Sequence, residues 1–208
     1  MKLDTHPTSP AHLWFPNQWA QRACEAFVRR EIPAILLHGP VGTGKSDAAK
    51  VLIKGAMTYR PGLPPGPFCK FDLKHDNAAQ DSGVAVLESA VVFASTYPQG
   101  ECRGWWVDEV DELSQRASSG LKGTFDRLEN LGVQMVFTTN SPSAVSAAIL
   151  SRCEVIEWRR PSPAQLVARA QQVLAQHGKT LDATTLYQLA VERGGDTRQF
   201  FRAVELMV

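Results

Sequence analysis

The chain has 208 residues, 44% of them apolar and 21% charged, a balance that excludes a disordered chain and suits one ordinary domain with a small second one. A net charge of +1 gives no global sign of a nucleic-acid partner, but the charge is uneven. Residues 1–60 hold eight Lys/Arg against four Asp/Glu and residues 70–112 hold three against nine, so a basic face and an acidic site can hide in a neutral total.

The N-terminal stretch MKLDTHPTSPAHLWF carries Asp4 and no apolar core of signal-peptide length. Apolar runs along the chain stop at four to six residues, too short to span a membrane. A cytoplasmic location is the expectation. Cys24, Cys69, Cys102 and Cys153 are far apart with no CxxC pair, which reads as reduced thiols and not as a metal site.

The first strong pattern is AILLHGPVGTGKSDAAKVLI. The apolar run from Ala34 predicts a strand over 34–38, and Ala48, Val51, Leu52 and Ala56 follow at helical spacing. Between them stand Gly39, Pro40, Val41, Gly42, Thr43, Gly44, Lys45 and Ser46. Strand, glycine-rich loop and helix in this order form the context of a phosphate-binding loop. The glycines let backbone N–H groups turn inward, and the helix N-terminus adds partial positive charge. Lys45 is expected to reach the terminal phosphates and Ser46 to ligate Mg²⁺.

A Pro/Gly connection, YRPGLPPGPF, leads to a predicted strand over 68–73. The run from Gly104 predicts a strand over 104–108 that delivers Asp108 and Glu109 at its end. An acid at that end is where a metal-binding carboxylate belongs in an open α/β sheet. Asp108 is expected to hold Mg²⁺ and Glu109 to act as general base on water. Trp105 and Trp106 read as core packing. Asp111 and Glu112 read as N-terminal charges of the next helix, whose apolar positions are Leu113, Ala117, Leu121, Phe125 and Leu128 and whose Gly120 and Gly123 should weaken it.

VQMVFTTN predicts a strand over 133–138 ending near Asn140, either a turn residue or a polar group for water or phosphate. A last strand is expected over 153–158, after Arg152, which is either a surface charge or a catalytic group. Five strands alternating with helical patterns argue for a parallel α/β sheet. Pro161 and Pro163 mark a boundary between a nucleotide-binding core over 1–160 and a helical lid over 161–208. Three helices are expected in the lid, with Ser162 and Asp182 as caps and Gly178 and Gly194 as stops.

The ordered set GPVGTGKS, VDEVDEL, FTTN, ILSRC and GGDTR resembles an AAA+ ATPase of the clamp-loader type, similar to replication factor C small subunits and bacterial γ and δ′ subunits. The resemblance covers about residues 16 to 206. It implies the strand order of a P-loop AAA+ core. It further implies that Asn140 is the sensor 1 residue, that Arg198 is the sensor 2 arginine of the lid, and that Arg152 is an arginine finger acting on a neighbouring subunit. A homo- or hetero-oligomer, DNA, and a replication or mobile-element protein are the implied partners. Family geometry turns the helix starts near Asn77–Val84 and Ser114–Lys122 toward a central channel, with Arg116, Ser118, Ser119 and Lys122 as phosphate contacts. Clamp-loader subunits carry a further helical collar domain, whereas this sequence runs to Val208, so assembly is expected to rest on core contacts, nucleotide, DNA or another protein. The leading expectation is an ATP-dependent motor or switch in DNA replication, repair or mobile-element biology. A helicase loader or transposition regulator, and an ATP-gated protein adaptor that binds no DNA, stand beside it.

Overall fold

Three of the predicted strands are buried almost throughout: Ala34–His38 (β1), Gly104–Asp108 (β3) and Gln134–Thr139 (β4). They form the centre of a five-stranded sheet of order β2-β3-β4-β1-β5 in the computed structural model, which describes residues 3–208. Every pairing is parallel. The edges are Leu73–Asn77 (β2) and Glu154–Glu157 (β5), both only partly buried. The architecture is therefore the expected mixed α/β fold with a five-stranded parallel sheet.

Strand alternation builds two cores, one on each face. Ala34, Leu36, Trp105, Val107, Met135 and Phe137 face one way, against the helices Val84–Ala94 (α3) and Gln115–Asn130 (α4). Ile35, Leu37, Trp106, Val136 and Ile156 face the other, against Gln18–Val28 (α1) and Lys45–Thr58 (α2). Phe137 is held edge-on to Trp105 at 5.7 Å and stacked on Phe125 at 6.3 Å. Truncating one such ring to alanine costs about 3–5 kcal/mol. Gly120 and Gly123 do not interrupt α4. A side chain at Gly120 would begin 3.2 Å from Leu87, so that glycine lets α3 approach α4.

Two expectations need correction. The second strand lies at Leu73–Asn77, not 68–73. The apolar run before it instead holds a 3₁₀ turn, Lys70–Asp72, whose buried Asp72 accepts the N–H groups of Gln99 and Gly100. An edge strand packs only part of its surface, so its own sequence, Leu-Lys-His-Asp-Asn, need not be apolar. Asp111 and Glu112 lie in a separate 3₁₀ turn, Val110–Glu112. The helix after it starts at Gln115 with Ser114 as its cap and no acid in its first turn.

Beyond Pro161 stand Pro163–Gln176 (α6), Ala183–Glu192 (α7) and Thr197–Met207 (α8), after the short Ala147–Leu150 (α5). Ser162 and Gln165 form a reciprocal capping box, and Asp182 and Asp196 cap the other two helices. Gly178 and Gly194, at φ +65° and +55°, follow the ends of α6 and α7. The core of these helices includes Leu166, Val173, Leu186, Phe200 and Val204, and Leu3 is buried among them. The segment after Leu3 then crosses to α2. The Leu3 N–H donates to Glu205, Arg169 donates to the His6 carbonyl, and the His6 ring meets Asp47 at 2.8 Å.

Candidate active site

The loop Gly39–Gly44 joins the C-terminal end of β1 to α2, at the sheet edge where open α/β folds bind ligands. Gly42 and Gly44 sit at φ +82° and +83°, a region that glycine enters without penalty. A side chain at Gly42 would run into the Asp196 carboxylate. The Gly42 carbonyl accepts the Thr197 N–H at 2.8 Å, so the loop and the start of α8 are in direct contact.

A cavity of about 540 Å³ opens there, within the usual range for small-molecule sites. Val41, Gly42 and Gly44 line it from the loop, Lys45 and Ser46 from the start of α2, Glu109 and Asn140 from strand ends, and Arg198 from α8. The Lys45 ammonium donates to the Gly39 carbonyl at 2.7 Å, the Pro40 carbonyl at 2.8 Å and Asn140 Oδ1 at 2.9 Å. Burial lowers its pKa, and Asp108, Asp111 and Glu109 oppose that shift. The acidic run at the end of β3 thus opposes the loss of charge that burial favours.

Asp108 is buried beneath the cavity. Its Oδ1 accepts from Thr138 Oγ1 at 2.7 Å and Trp106 Nε1 at 3.2 Å, while His75 Nε2 lies 3.2 Å from Oδ2. His75 stacks on Trp106 at 3.8 Å. The Thr138 hydroxyl also accepts the N–H of Glu109, so one side chain links the two acids. Glu109 itself is left-handed, at φ +56° and ψ +46°, which costs a non-glycine residue roughly 1–2 kcal/mol.

These residues fit a phosphate and a hard cation. Gly44 at the N-cap supplies no side-chain cap, leaving first-turn N–H groups of α2 available to an anion. The Ser46 hydroxyl lines the cavity, and the Asp108 carboxylate beneath it has lone-pair capacity beyond its three partners. Oxygen donors of this kind suit Mg²⁺.

Of the residues singled out in the sequence, Gly39, Pro40, Thr43 and Asp108 support the cavity without lining it, and Arg152 lies outside it. Arg152 pairs instead with Asp126 of α4. The sequence reading missed the opposite wall. Leu13 and Trp14 line it, and a side chain at Gly44 would begin 3.3 Å from the Trp14 ring. The signal was the apolar HLWF in a polar N-terminal stretch. It gave no role to Thr138, although that residue stands in FTTN, or to His75, since a histidine at a sheet edge carries no motif.

Fold and cavity together define an open α/β protein with a glycine-rich loop and a cavity at the carboxyl ends of its strands. Residues 35–160 match the ATPase family associated with various cellular activities (AAA). The chain belongs to that family. It is also homologous over most of its length to replication factor C small subunits. It is 24% identical to that of Thermoplasma acidophilum over 203 residues, covering 96% of this chain and 61% of the relative. It is 26% identical to that of Thermofilum pendens over 202 residues, covering 96% and 59%. Arabidopsis thaliana replication factor C subunit 2 is 26% identical over 172 residues, covering 81% and 49%. The chain thus spans about half to three fifths of these relatives. Among solved structures, the Thermotoga maritima RuvB Holliday junction branch migration motor is similar with a TM-score of 0.74 at 15% identity, covering 95% of this chain and 63% of that one. Domain III of the Thermotoga maritima replication initiation protein DnaA gives 0.66 at 16%, covering 95% and 88%. At these identities the two structures speak for the fold alone.

Proposed function

We propose that the chain is a Mg²⁺-dependent ATPase, related to clamp loaders, that works in the cytoplasm as an oligomeric switch or motor in DNA replication, repair or mobile-element biology. One observation carries the reading: Lys45, Glu109, Asn140 and Arg198, spread over more than 150 residues of chain, line one cavity. The core over 1–160 would bind nucleotide and the lid over 161–208 would close on it, with Leu3 packed among the lid helices.

In this reading the loop N–H groups from Gly39 to Ser46 and the Lys45 ammonium hold the phosphates. Ser46 and Asp108 would hold Mg²⁺, which when bound offsets phosphate charge. Glu109 takes a proton from the attacking water, with Asn140 beside it to orient that water. Arg198 meets the terminal phosphate from the lid of its own subunit. Arg152, outside the cavity, serves a neighbour's site, where its guanidinium offsets charge in the transition state. DNA would be met by the exposed Arg116, Ser119 and Lys122 and the half-buried Ser118 of α4 through phosphate contacts that carry no sequence preference.

The test is ATP turnover with and without DNA. Lys45→Ala should lose ATP binding, and Glu109→Gln should bind ATP yet turn it over slowly. A wild-type protein with no calorimetric affinity for ATP in any oligomeric state overturns the reading. DNA that neither binds in a salt-dependent manner nor stimulates turnover favours the protein-adaptor alternative.

A further inference from the structure

The Arg152 guanidinium is not a free surface charge. Its Nε donates to Asp126 Oδ1 at 2.6 Å and its Nη2 to Asp126 Oδ2 at 3.2 Å. Its Nη1 donates to the Ala148 carbonyl at 3.0 Å. A guanidinium has five N–H donors. Three are engaged, and one on each terminal nitrogen remains without a partner among the described residues. The side chain stays 24% exposed, enough for those donors to meet an outside group.

Asp126 comes from α4, a different element, and it sits on a helix anchored by Leu121, Phe125 and Leu128 in the core. A two-pronged carboxylate fixes the plane of an arginine as well as its position. The Ala148 carbonyl in α5 adds a third point. An unanchored arginine would have to give up its rotamer freedom when it meets its target. Here that ordering is already present in the single chain. The pair also shifts both groups in the direction of charge: hydrogen bonding to Arg152 lowers the Asp126 pKa, and hydrogen bonding to Asp126 raises that of Arg152.

We propose that Asp126 is a positioning residue that presents Arg152, through its two unengaged N–H donors, to a phosphoryl group bound by a second copy of this chain. The proposal rests on the assignment of Arg152 to a neighbour's site.

The test uses mixed assemblies of full-length chains. Lys45→Ala subunits lack a nucleotide site but carry an intact arginine. Arg152→Ala subunits bind nucleotide but lack the arginine. Mixing them should restore turnover. Adding Asp126→Asn to the Lys45→Ala subunit should then cut the restored rate by about tenfold or more, the scale expected for losing a charge-assisted hydrogen bond. Adding Asp126→Asn to the Arg152→Ala subunit should change nothing, since that copy has no arginine to present. Asp126→Glu in the Lys45→Ala subunit should recover part of the loss. Equal loss in both placements means Asp126 is merely structural and overturns the proposal, as does no loss in either. If the parent mixture restores no turnover despite light scattering that confirms assembly, the neighbour-site assignment itself fails, and the proposal with it.

Discussion

Lys45 Nζ lies 2.9 Å from Oδ1 of Asn140, although 95 positions separate the two in the chain. Register explains the meeting. His38, at the end of β1, is paired with Thr139, at the end of β4, so the residues that follow each strand emerge side by side. Removing the amide leaves one N–H of a buried ammonium without its acceptor. Asn140→Ala should therefore reduce turnover by about 5-fold to 150-fold, from roughly 1–3 kcal/mol for an unsatisfied buried group. Binding of ATP by calorimetry should persist, because Gly39 and Pro40 still hold the lysine in place. A variant with unchanged turnover would remove Asn140 from the reaction.

Glu109 offers a cleaner separation of strain from chemistry. Both Glu109→Ala and Glu109→Gly delete the carboxylate, so both should lose turnover. Only glycine relaxes the left-handed backbone at φ +56°. Glu109→Gly should therefore exceed Glu109→Ala in stability by about 1 kcal/mol, read from denaturant midpoints at equal slope. Equal midpoints would mean the strain is absent from the folded protein.

How far these features could be read in the sequence depends on the range of the interaction that makes them. The turn from β1 into α2 is local, and its glycine spacing announced the loop. β3 and β4 were legible because central parallel strands are buried on both faces and must be apolar. β2 was misplaced because an edge strand obeys a weaker rule. The apolar run before it went instead into a turn organised by Asp72. The partners of the acids were invisible. Nothing in a one-dimensional pattern pairs Thr138 with Asp108, or Asp126 with Arg152, since each pair joins separate elements through side chains alone.

Gly42 ties the glycine-rich loop to the start of α8. A methyl group there would meet the Asp196 carboxylate, and the residue would also carry the strain of φ +82°, roughly 1 kcal/mol or more. Gly42→Ala should weaken ATP binding by displacing the start of α8, and with it Arg198. Adding Asp196→Ala removes the steric clash but also the cap that accepts the Gln199 N–H. The double variant should regain part of the ATP affinity while losing about 1 kcal/mol of lid stability. If the single variant binds ATP as the wild type does, the contact between loop and lid is not needed for the site.

The segment from Leu3 to His6 makes the same connection from the other side. Leu3 is 3% exposed and sits in the core of helices α6 to α8. Three residues later His6 contacts Asp47, in the first turn of the helix that follows the phosphate loop. The strap therefore links the C-terminal helices to α2 beside the cavity, whose wall includes His6. Leu3→Ala removes its lid anchor and should cost about 2–5 kcal/mol if the cavity left behind stays open, less if the helices collapse into it. His6→Ala breaks only an exposed contact, worth about 1 kcal/mol or less. The two variants should thus differ in stability yet agree in function, because each loosens the strap at one end while the backbone bonds to Glu205 and Arg169 stay in place. Both should weaken ATP binding relative to wild type, and the double variant should be no weaker than Leu3→Ala alone. Additive losses of affinity would mean the two ends act separately. An unchanged affinity in both single variants would show that the strap packs on the lid without governing its position over the nucleotide cavity.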